Sequence, residues 1–403
     1  MPSTPPVGEP VPADGALPLG TAVGARPFSM YLHVPYCSTR CGYCDFNTYT
    51  AEELGPGVSR SSYADQAIAE IRLARRVLGD VDLSVQTVFV GGGTPTLLPE
   101  QDLGRLLAAV RAEFGLAPDA EVTTEANPDS VTAQSLQQLR AQGFTRVSLG
   151  MQSTAPHVLA VLDRTHTPGR AVAAVADARS AGFEHVSLDL IYGTPGETEA
   201  DFAGSLAAVA GCEVDHVSAY ALIVEEGTRL AARVRRGELA MPDDDVAADR
   251  YLQADAALTA AGMAWYEVSN WARPGGQCRH NLAYWRGDDW WGVGPGAHSH
   301  VGGVRWWNVR HPVAYADRIG AGASPAQARE LLTTEQRRVE DVLLRLRLAE
   351  GLPLSALRPA GLAAARRAAA DGLLSVDALA AGRAALTGRG RLLADAVVRD
   401  LVD

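Results

Sequence analysis

Short runs of β-branched and aliphatic residues recur along the first half of the chain and are typical of buried strands. The six clearest runs lie at residues 28–34, 87–92, 121–126, 146–151, 185–191 and 216–222. Between them lie segments rich in Ala, Leu and Arg with helical spacing of their apolar residues, such as "EQDLGRLLAAVRAEF". Because strand and helix alternate, we expect a parallel sheet covered by helices. Periodicity alone leaves two folds open, a partial (β/α)6 barrel and a doubly wound sheet.

The pattern changes in the second half of the chain. One more helix is predicted at residues 242–262, and residues 278–310 are dense in aromatic residues and histidine. From about residue 334 the apolar spacing indicates a small, mainly helical domain. We therefore divide the chain into a Pro/Gly-rich disordered tail (1–26), an α/β core (27–240), an extension (241–333) and a helical, winged-helix-like C-terminal domain (334–403).

Composition excludes several classes of function. The 403 residues carry a formal net charge of −11, which argues against a general nucleic-acid or anionic-membrane binder. All basic side chains are arginines, so Schiff-base chemistry on lysine is excluded. The chain has neither a signal-peptide pattern at its start nor an apolar run of the roughly 20 residues that a membrane span needs. We expect a cytoplasmic protein without a transmembrane segment.

Polar and glycine-rich segments follow the predicted strands at the points where the strands end. A cysteine-containing loop follows the first strand, "GGGTPT" the second and "EANP" the third, while "QS" and "DLIYGTPGET" belong to the fourth and fifth. Parallel α/β folds build their active sites at the carboxyl ends of strands. The sequence therefore predicts one site at this edge of the sheet.

Three of the five cysteines crowd into the first of these loops, as Cys37, Cys41 and Cys44, whereas Cys212 and Cys278 are isolated. This pattern is typical of a metal site in a reducing compartment and not of a disulfide framework. A structural zinc site needs four ligands, and no fourth Cys or His follows nearby. Three inert thiols on one polar loop would be unusual packing. An iron–sulfur cluster is normally held by four thiolates, so three would leave one iron open to another ligand.

The spacing C-x3-C-x2-C, with the aromatic Tyr43 before the last cysteine, resembles the signature of the radical S-adenosylmethionine (SAM) superfamily. The resemblance implies a partial (β/α)6 TIM-like barrel. It also implies a 4Fe–4S cluster on Cys37, Cys41 and Cys44, with SAM chelating the fourth iron. The segment "GGGTPT" resembles the glycine-rich segment that contacts the amino group of SAM in that superfamily.

The array from "YLHVPYC" to "DLIYGTPGET" resembles, within the superfamily, the group of oxygen-independent coproporphyrinogen III oxidases, HemN and its relatives. The resemblance extends over about residues 27–403. It implies that the cluster-bound SAM is contacted by Tyr31, Gly92 and Glu125. It implies a second SAM position lined by Tyr43, Gly93, Thr94, Gln152, Arg164, Asp189 and Ala221.

Two branches of this group remain to be distinguished. The oxidases carry one more cysteine two residues after the third ligand, where this chain has Phe46, and they have a longer structured N-terminal segment. In the haem chaperone branch the mark is H-N-x-x-Y-W, which is similar to "HNLAYW" (280–285) here. That resemblance implies haem binding with His280 as the iron ligand, and delivery of haem to acceptor proteins.

The residues themselves allow other interpretations of "HNLAYW". An aromatic turn with a histidine is commonly just core packing under a barrel rim, and His298 and His300 lie in the same aromatic-rich region. We predict a haem chaperone that holds a cluster, SAM and haem. The alternative is an oxidase that decarboxylates coproporphyrinogen III to protoporphyrinogen IX in porphyrin biosynthesis.

Overall fold

The computed structural model describes residues 7–54 and 60–402. The strands are β1 Phe28–Val34, β2 Val85–Gly92, β3 Leu116–Ala126, β4 Arg146–Gln152, β5 His185–Tyr192, β6 His216–Ala221, β7 Ala264–Glu267, β8 Asn270–Ala272, β9 Asp289–Val293, β10 His298–Val301, β11 Val304–Asn308, β12 Ala326–Leu331, β13 Leu352–Pro353 and β14 Arg383–Ala384. The helices are α1 Ala51–Leu54, α2 Tyr63–Leu78, α3 Glu100–Phe114, α4 Ala133–Gln142, α5 Pro156–Val161, α6 Arg170–Ser180, α7 Glu199–Ala210, α8 Arg229–Arg235, α9 Asp244–Ala260, α10 Arg279–Arg286, α11 Pro312–Gly320, α12 Thr334–Arg345, α13 Pro359–Ala370, α14 Val376–Ala380, α15 Gly388–Leu392 and α16 Ala394–Val402.

Strands β1 to β6 lie side by side in chain order, and every neighbouring pair among them is parallel. A doubly wound sheet would reverse its strand order at a switch point. The consecutive order therefore confirms the partial (β/α)6 barrel. All six predicted core strands are present, with ends that differ from the predicted ends by five residues at most.

The six core strands present an apolar face to the helices and a polar face to the barrel interior. In β4, Val147 and Leu149 are fully buried in the main hydrophobic core. The alternate residues Arg146 and Ser148 bond instead to side chains of neighbouring strands on the interior side. Because successive side chains of a strand point to opposite faces, this alternation keeps the interior polar along the whole strand.

The same sheet continues beyond the six-stranded core on both sides. The order is β12-β11-β10-β9-β1 on one side and β6-β8-β7 on the other. Strand β9 runs parallel to β1, whereas β10, β11 and β12 continue in antiparallel order. The sequence indicates a strand entering a loop in "MAWYEVSNWARPGG" (263–276), where β7 and β8 lie. It does not predict β9 to β12, because their short aromatic segments show neither regular alternation nor a long apolar run.

The sequence predicts a disordered tail at residues 1–26, but the structure shows residues 7–26 packed against the sheet. Glu9 and Arg329 exchange backbone hydrogen bonds of 2.8 and 2.9 Å, and the N–H of Ser324 donates to the carbonyl of Ala13. Strand β12 is an edge strand with backbone groups left to pair, and Val11 and Leu17 pack against the core. Residues 7–26 are therefore docked on the sheet, and residues 1–6 lie outside the described part of the chain.

The C-terminal helices enclose a second hydrophobic core of their own, built mainly from α12, α13 and α16. Helix α12 begins with a capping box in which Thr333 and Gln336 satisfy each other's backbone N–H groups. This separate core supports the domain division near residue 334, which stays a prediction. Within residues 7–54 and 60–402, the structure contains no helix with the length and hydropathy of a membrane span.

Candidate functional site

The cysteine loop follows β1 and is held in place from both sides. The N–H of Cys37 donates to the carbonyl of Tyr49 (3.0 Å), and the N–H of Gly42 donates to the carbonyl of Leu162 (3.1 Å). All three loop cysteines are free thiols of intermediate burial. Burial raises the pKa of the Cys37 thiol to about 11, and the neighbouring Cys44 adds to the shift. A bound metal would instead lower the pKa of Cys37, because a thiol that coordinates a metal is deprotonated.

The donor set of the loop fits an iron–sulfur cluster better than a single metal ion. Within the described residues, no three Cys, His, Asp or Glu side chains are grouped closely enough to hold one ion. A tetrahedral zinc site needs such a group around one point, whereas a cluster binds its thiolates at separate irons. All three cysteines are free thiols on one loop, as a cluster held by three cysteines requires.

The glycine-rich segment after β2 runs directly against the cysteine loop. The N–H of Gly93 donates to the carbonyl of Val34 (2.8 Å), and that of Thr94 donates to the carbonyl of Tyr36 (2.7 Å). A Cβ atom on Gly93 would lie 2.4 Å from the Tyr36 oxygen and 2.9 Å from the Sγ of Cys37. Only glycine lets the backbone approach the cysteine sulfur this closely.

Two buried carboxyl groups face the interior at the same end of the sheet. The N–H of Gly92 donates to Oε2 of Glu125 (2.9 Å), and the hydroxyl of Ser148 donates to Asp189 (3.1 Å). Burial, together with the charge of Asp189, raises the pKa of Glu125 to about 8, and burial raises the pKa of Asp189 to about 6. A bound cation or hydroxyl donor would relieve this desolvation, which suits a charged nucleoside such as SAM.

Gln152 ends β4, and Arg164 reaches the same end by donating to the carbonyl of Gly150. Both side chains have polar atoms without hydrogen-bond partners among the described residues. Gln152 has a φ of 57°, in the left-handed region that non-glycine residues seldom adopt. Within the described residues, its Oε1 and the Nε of Arg164 are buried without hydrogen-bond partners. Nη1 of Arg164 donates to the Sγ of Cys41 at 3.4 Å. Local strain and unsatisfied polar atoms beside a cysteine sulfur are features of a ligand site.

The remaining predicted site residues lie at the same edge. Tyr43 is partly buried, and the pKa of its phenol is raised by desolvation and by neighbouring Cys41. Ala221 is the last residue of β6 and lies opposite Tyr192 of β5, without a side-chain contact to the cysteines among the described interactions. The structure therefore brings the predicted cluster and SAM residues to one edge, with Ala221 at its margin.

His33 and Asn47 belong to the site through the predicted Tyr31, but were not in the predicted set themselves. The Tyr31 hydroxyl lies 2.9 Å from Nδ1 of His33, and Nε2 of His33 lies 2.9 Å from the carbonyl of Asn47 in the cysteine loop. A carbonyl only accepts, so His33 carries its proton on Nε2 and Nδ1 accepts from Tyr31. Burial lowers the pKa of His33 to about 4, so the ring is neutral. The two-residue spacing from Tyr31 could have indicated this shared face.

His280 lies deeper in the barrel than this edge, with its ring centroid 6.4 Å from that of Tyr31. Its Nδ1 is 2.6 Å from the hydroxyl of Thr87, its Nε2 is 2.9 Å from the hydroxyl of Tyr284, and its ring stacks on Phe89 at 5.2 Å. Thr87 precedes Gly92 by five residues of β2, which is about 17 Å along a strand. The side chain is 1% exposed, and burial lowers its pKa to about 3. Both ring nitrogens are therefore occupied inside the barrel.

The other polar residues of "HNLAYW" also bond inwards. The side chains of Asn281 and Trp285 lie beside the buried carboxyl group of Glu267. The backbone N–H of His280 donates to Glu121 (3.1 Å). Glu121 in turn pairs with Arg146 at 3.0 Å, and both side chains are almost fully buried. The segment thus forms the floor of the barrel, opposite the cysteine loop.

Comparisons with known proteins agree with this arrangement. The family model of the Radical SAM superfamily matches residues 31–209. The chain is 58% identical to "Heme chaperone HemW" of Mycobacterium tuberculosis over 94% of this chain and 95% of the relative. It is 34% identical to the protein of the same name from Bacillus subtilis over 80% of this chain and 84% of the relative.

Among solved structures, coproporphyrinogen III oxidase (HemN) from Escherichia coli superimposes with a TM-score of 0.78 at 25% identity, covering 94% of this chain and 89% of that one. The structural likeness reaches across the barrel, the extension and the C-terminal helices. On the sequence identity to its relatives, the chain belongs to the HemW family of the radical SAM superfamily.

Proposed function

We propose that this protein is a cytoplasmic haem chaperone that binds haem and delivers it to acceptor proteins, without binding nucleic acid. The observation that carries the proposal is the 58% identity to a heme chaperone over 94% of the chain. The position after the third cysteine supports it. Phe46, which replaces the extra cysteine of the oxidases, is 57% exposed on the loop surface.

The proposal includes a 4Fe–4S cluster on Cys37, Cys41 and Cys44, with SAM as the ligand of the fourth iron. When bound and reduced, such a cluster would supply one electron for cleavage of SAM. The chain's own contribution is a polar cradle. Gly92 donates its N–H to Glu125 (2.9 Å), and this buried carboxyl group faces the place of the ammonium or ribose groups of SAM.

The proposed second SAM position depends on Gln152, Arg164 and Asp189. The unpaired Gln152 Oε1 and Arg164 Nε offer an acceptor and a donor, and the Asp189 carboxyl group offers negative charge to a sulfonium. Tyr43 and Thr94 complete the wall next to the cysteines. This position stays a prediction, as does the use of SAM for radical chemistry.

The prediction that His280 ligates haem also stays a prediction, and the structure shows what it would require. Ligation needs a free ring nitrogen, and His280 would first have to leave Thr87 or Tyr284. It would also have to reach a haem from a site that is 1% exposed.

Anaerobic reconstitution of the purified protein tests the cofactor part of the proposal. We expect iron–sulfur absorbance with about four irons per chain, and its loss when Cys37, Cys41 and Cys44 are replaced by Ala. Cys212→Ala is the matched control. Cys212 is also a free thiol of intermediate burial, but it follows the end of α7 and donates to the carbonyl of Ala208. Cluster absorbance that survives the triple substitution would contradict the ligand assignment.

The second candidate function is that of an oxygen-independent coproporphyrinogen III oxidase. The TM-score of 0.78 to HemN favours it, because the fold is shared. The test is an anaerobic assay with reconstituted protein, SAM and a reductant. Formation of protoporphyrinogen IX would establish the oxidase, whereas unchanged coproporphyrinogen III together with saturable haem binding supports the chaperone.

A further inference from the structure

Glu70 is a buried carboxyl group in the middle of α2, and its side chain is 0% exposed. Its Oε2 accepts from the N–H of Gly294 (2.7 Å) and from the hydroxyl of Tyr315 (2.6 Å), and its Oε1 accepts from Nδ2 of Asn308 (2.7 Å). One side chain thus joins α2 to the turn after β9, to the last residue of β11 and to α11.

All three of these partners of Glu70 are donors, which limits the side chains that can replace it. A carboxylate only accepts, whereas the amide of glutamine carries donor hydrogens on one of its two polar atoms. Glutamine would therefore place a donor against a donor on at least one side. Burial raises the pKa of Glu70 to about 7, although the bonds from Tyr315, Gly294 and Asn308 act in the opposite direction. The three bonds offset the desolvation of the carboxyl group only while all three donors stay in place.

The turn that Glu70 holds consists of Gly294, Pro295 and Gly296, and we call it the 294–296 turn. Nδ2 of Asn308 also donates to the carbonyl of Gly294 (2.9 Å), and the N–H of Gly296 donates to the carbonyl of Val309 (2.9 Å). Both glycines have positive φ values, of 105° and 74°. The turn is therefore fixed on one side by α2 and by the end of β11.

The other side of this turn contacts the end of β1 and the cysteine loop. A Cβ atom on Gly294 would lie 2.5 Å from the carbonyl oxygen of His33, and one on Gly296 would lie 2.5 Å from Nδ2 of Asn47. The same Nδ2 donates to the carbonyl of Pro295 (3.0 Å). Only glycine allows approaches this close, so the turn and the loop cannot move independently.

Asn47 connects this contact to the thiols. It lies three residues after Cys44, and its backbone carbonyl is 2.9 Å from Nε2 of His33. Two residues further on, the carbonyl of Tyr49 accepts from the N–H of Cys37 (3.0 Å). A displacement of Asn47 would therefore reach the cysteines at both ends of the loop.

Loss of the Glu70 carboxylate would release the 294–296 turn. The N–H of Gly294 and the hydroxyl of Tyr315 would be left buried without an acceptor, which is unfavourable. The turn would relax to find other partners, and Asn47, which it contacts, would follow.

We propose that Glu70 is a positioning residue for the cysteine loop, acting through the 294–296 turn and Asn47 on the placement of the three thiols. The inference rests on the proposed 4Fe–4S cluster on Cys37, Cys41 and Cys44. Among the described contacts Glu70 bonds to none of these cysteines, so its effect on a cluster is indirect.

The test compares anaerobically reconstituted wild-type protein with Glu70→Gln. We expect Glu70→Gln to lose iron to a chelator at least about tenfold faster, as for other residues that orient metal ligands from outside. We also expect a changed electron paramagnetic resonance (EPR) spectrum of the reduced cluster, with a smaller response to added SAM. Glu267→Gln is the matched control, because Glu267 is also a buried carboxyl group but lies on β7, the last strand at the other end of the sheet.

Asn47→Ala keeps the test decisive if Glu70→Gln does not fold. It removes the amide that bonds to the turn, keeps the backbone carbonyl beside His33 and leaves Glu70 in place. We expect the same changes in iron loss and in EPR spectrum. The double substitution should be no worse than the more severe single one, because both residues act along one path.

Three results would overturn the inference. If wild-type protein holds a cluster, and Glu70→Gln and Asn47→Ala match it in iron loss and in EPR spectrum, Glu70 has no positioning role while the proposed cluster stands. If Glu70→Gln lowers only the thermal unfolding temperature, with spectrum and iron loss unchanged, Glu70 only stabilises the fold. If wild-type protein takes up no cluster, the cofactor part of the proposed function fails, and the inference fails with it.

Discussion

Gly93→Ala tests the contact between the glycine-rich segment and the cysteine loop, because the structure has no space for the added Cβ atom. The new Cβ would lie 2.4 Å from the Tyr36 oxygen and 2.9 Å from the Sγ of Cys37. Ordinary contact begins near 3.5 Å, so the two segments must separate by about 1 Å. Metal ligands have to keep their distances to within about 0.2 Å. The shift is several times this tolerance, and we expect the cluster to be lost.

The measurement is iron and sulfide content together with cluster absorbance after anaerobic reconstitution. Overpacking of this kind costs about 1–3 kcal/mol, so the chain should still fold. Gly320→Ala is the matched control, because nothing lies within 4 Å of its Cβ position at the end of α11. Full iron content in Gly93→Ala, with Gly320→Ala unchanged, would show that the close approach of the two loops is not needed for the cluster.

Three further predictions concern the barrel interior. Arg146→Ala leaves Glu121 as an unpaired buried charge, and we expect it to lower the free energy of unfolding in urea by about 3–5 kcal/mol. Arg146→Lys should lower it less. A loss below about 1 kcal/mol in Arg146→Ala would contradict the buried pair. Glu125 has a pKa of about 8 in the folded protein, so between pH 4.5 and 8 the unfolded chain releases a proton that the folded chain keeps. The contribution of Glu125 to the unfolding free energy should therefore fall as pH rises through this window. Glu125→Gln should make the slope less steep, with the part due to Glu70, Glu197 and Glu267 remaining. Gln152→Gly should relieve the left-handed strain and stabilise the protein by no more than about 1 kcal/mol in thermal unfolding, while calorimetry shows weaker SAM binding.

The core of the fold could be predicted because its signals are local. Each of the strands from β1 to β6 is a short aliphatic run, and the helices between them follow apolar spacing. The order of those strands required the resemblance, since periodicity does not distinguish a barrel from a doubly wound sheet. The docked N-terminal segment was missed because its partner, Arg329 of the edge strand, lies more than 300 residues away.

The predicted cluster and SAM residues lie together because they follow consecutive parallel strands. The role of His280 was harder to predict, because its partner Thr87 lies 193 residues away in the chain. A histidine among aromatic residues indicates either a ligand site or a packed core, and only the tertiary neighbours of its two nitrogens decide between them.

A haem titration of the purified wild-type protein, followed by the Soret band, tests the central claim most directly. The account predicts saturable binding of one haem per chain with the spectrum of a histidine-ligated iron. Non-saturable binding, with a spectrum like that of free haem, would contradict the proposal that this member of the HemW family is a haem chaperone.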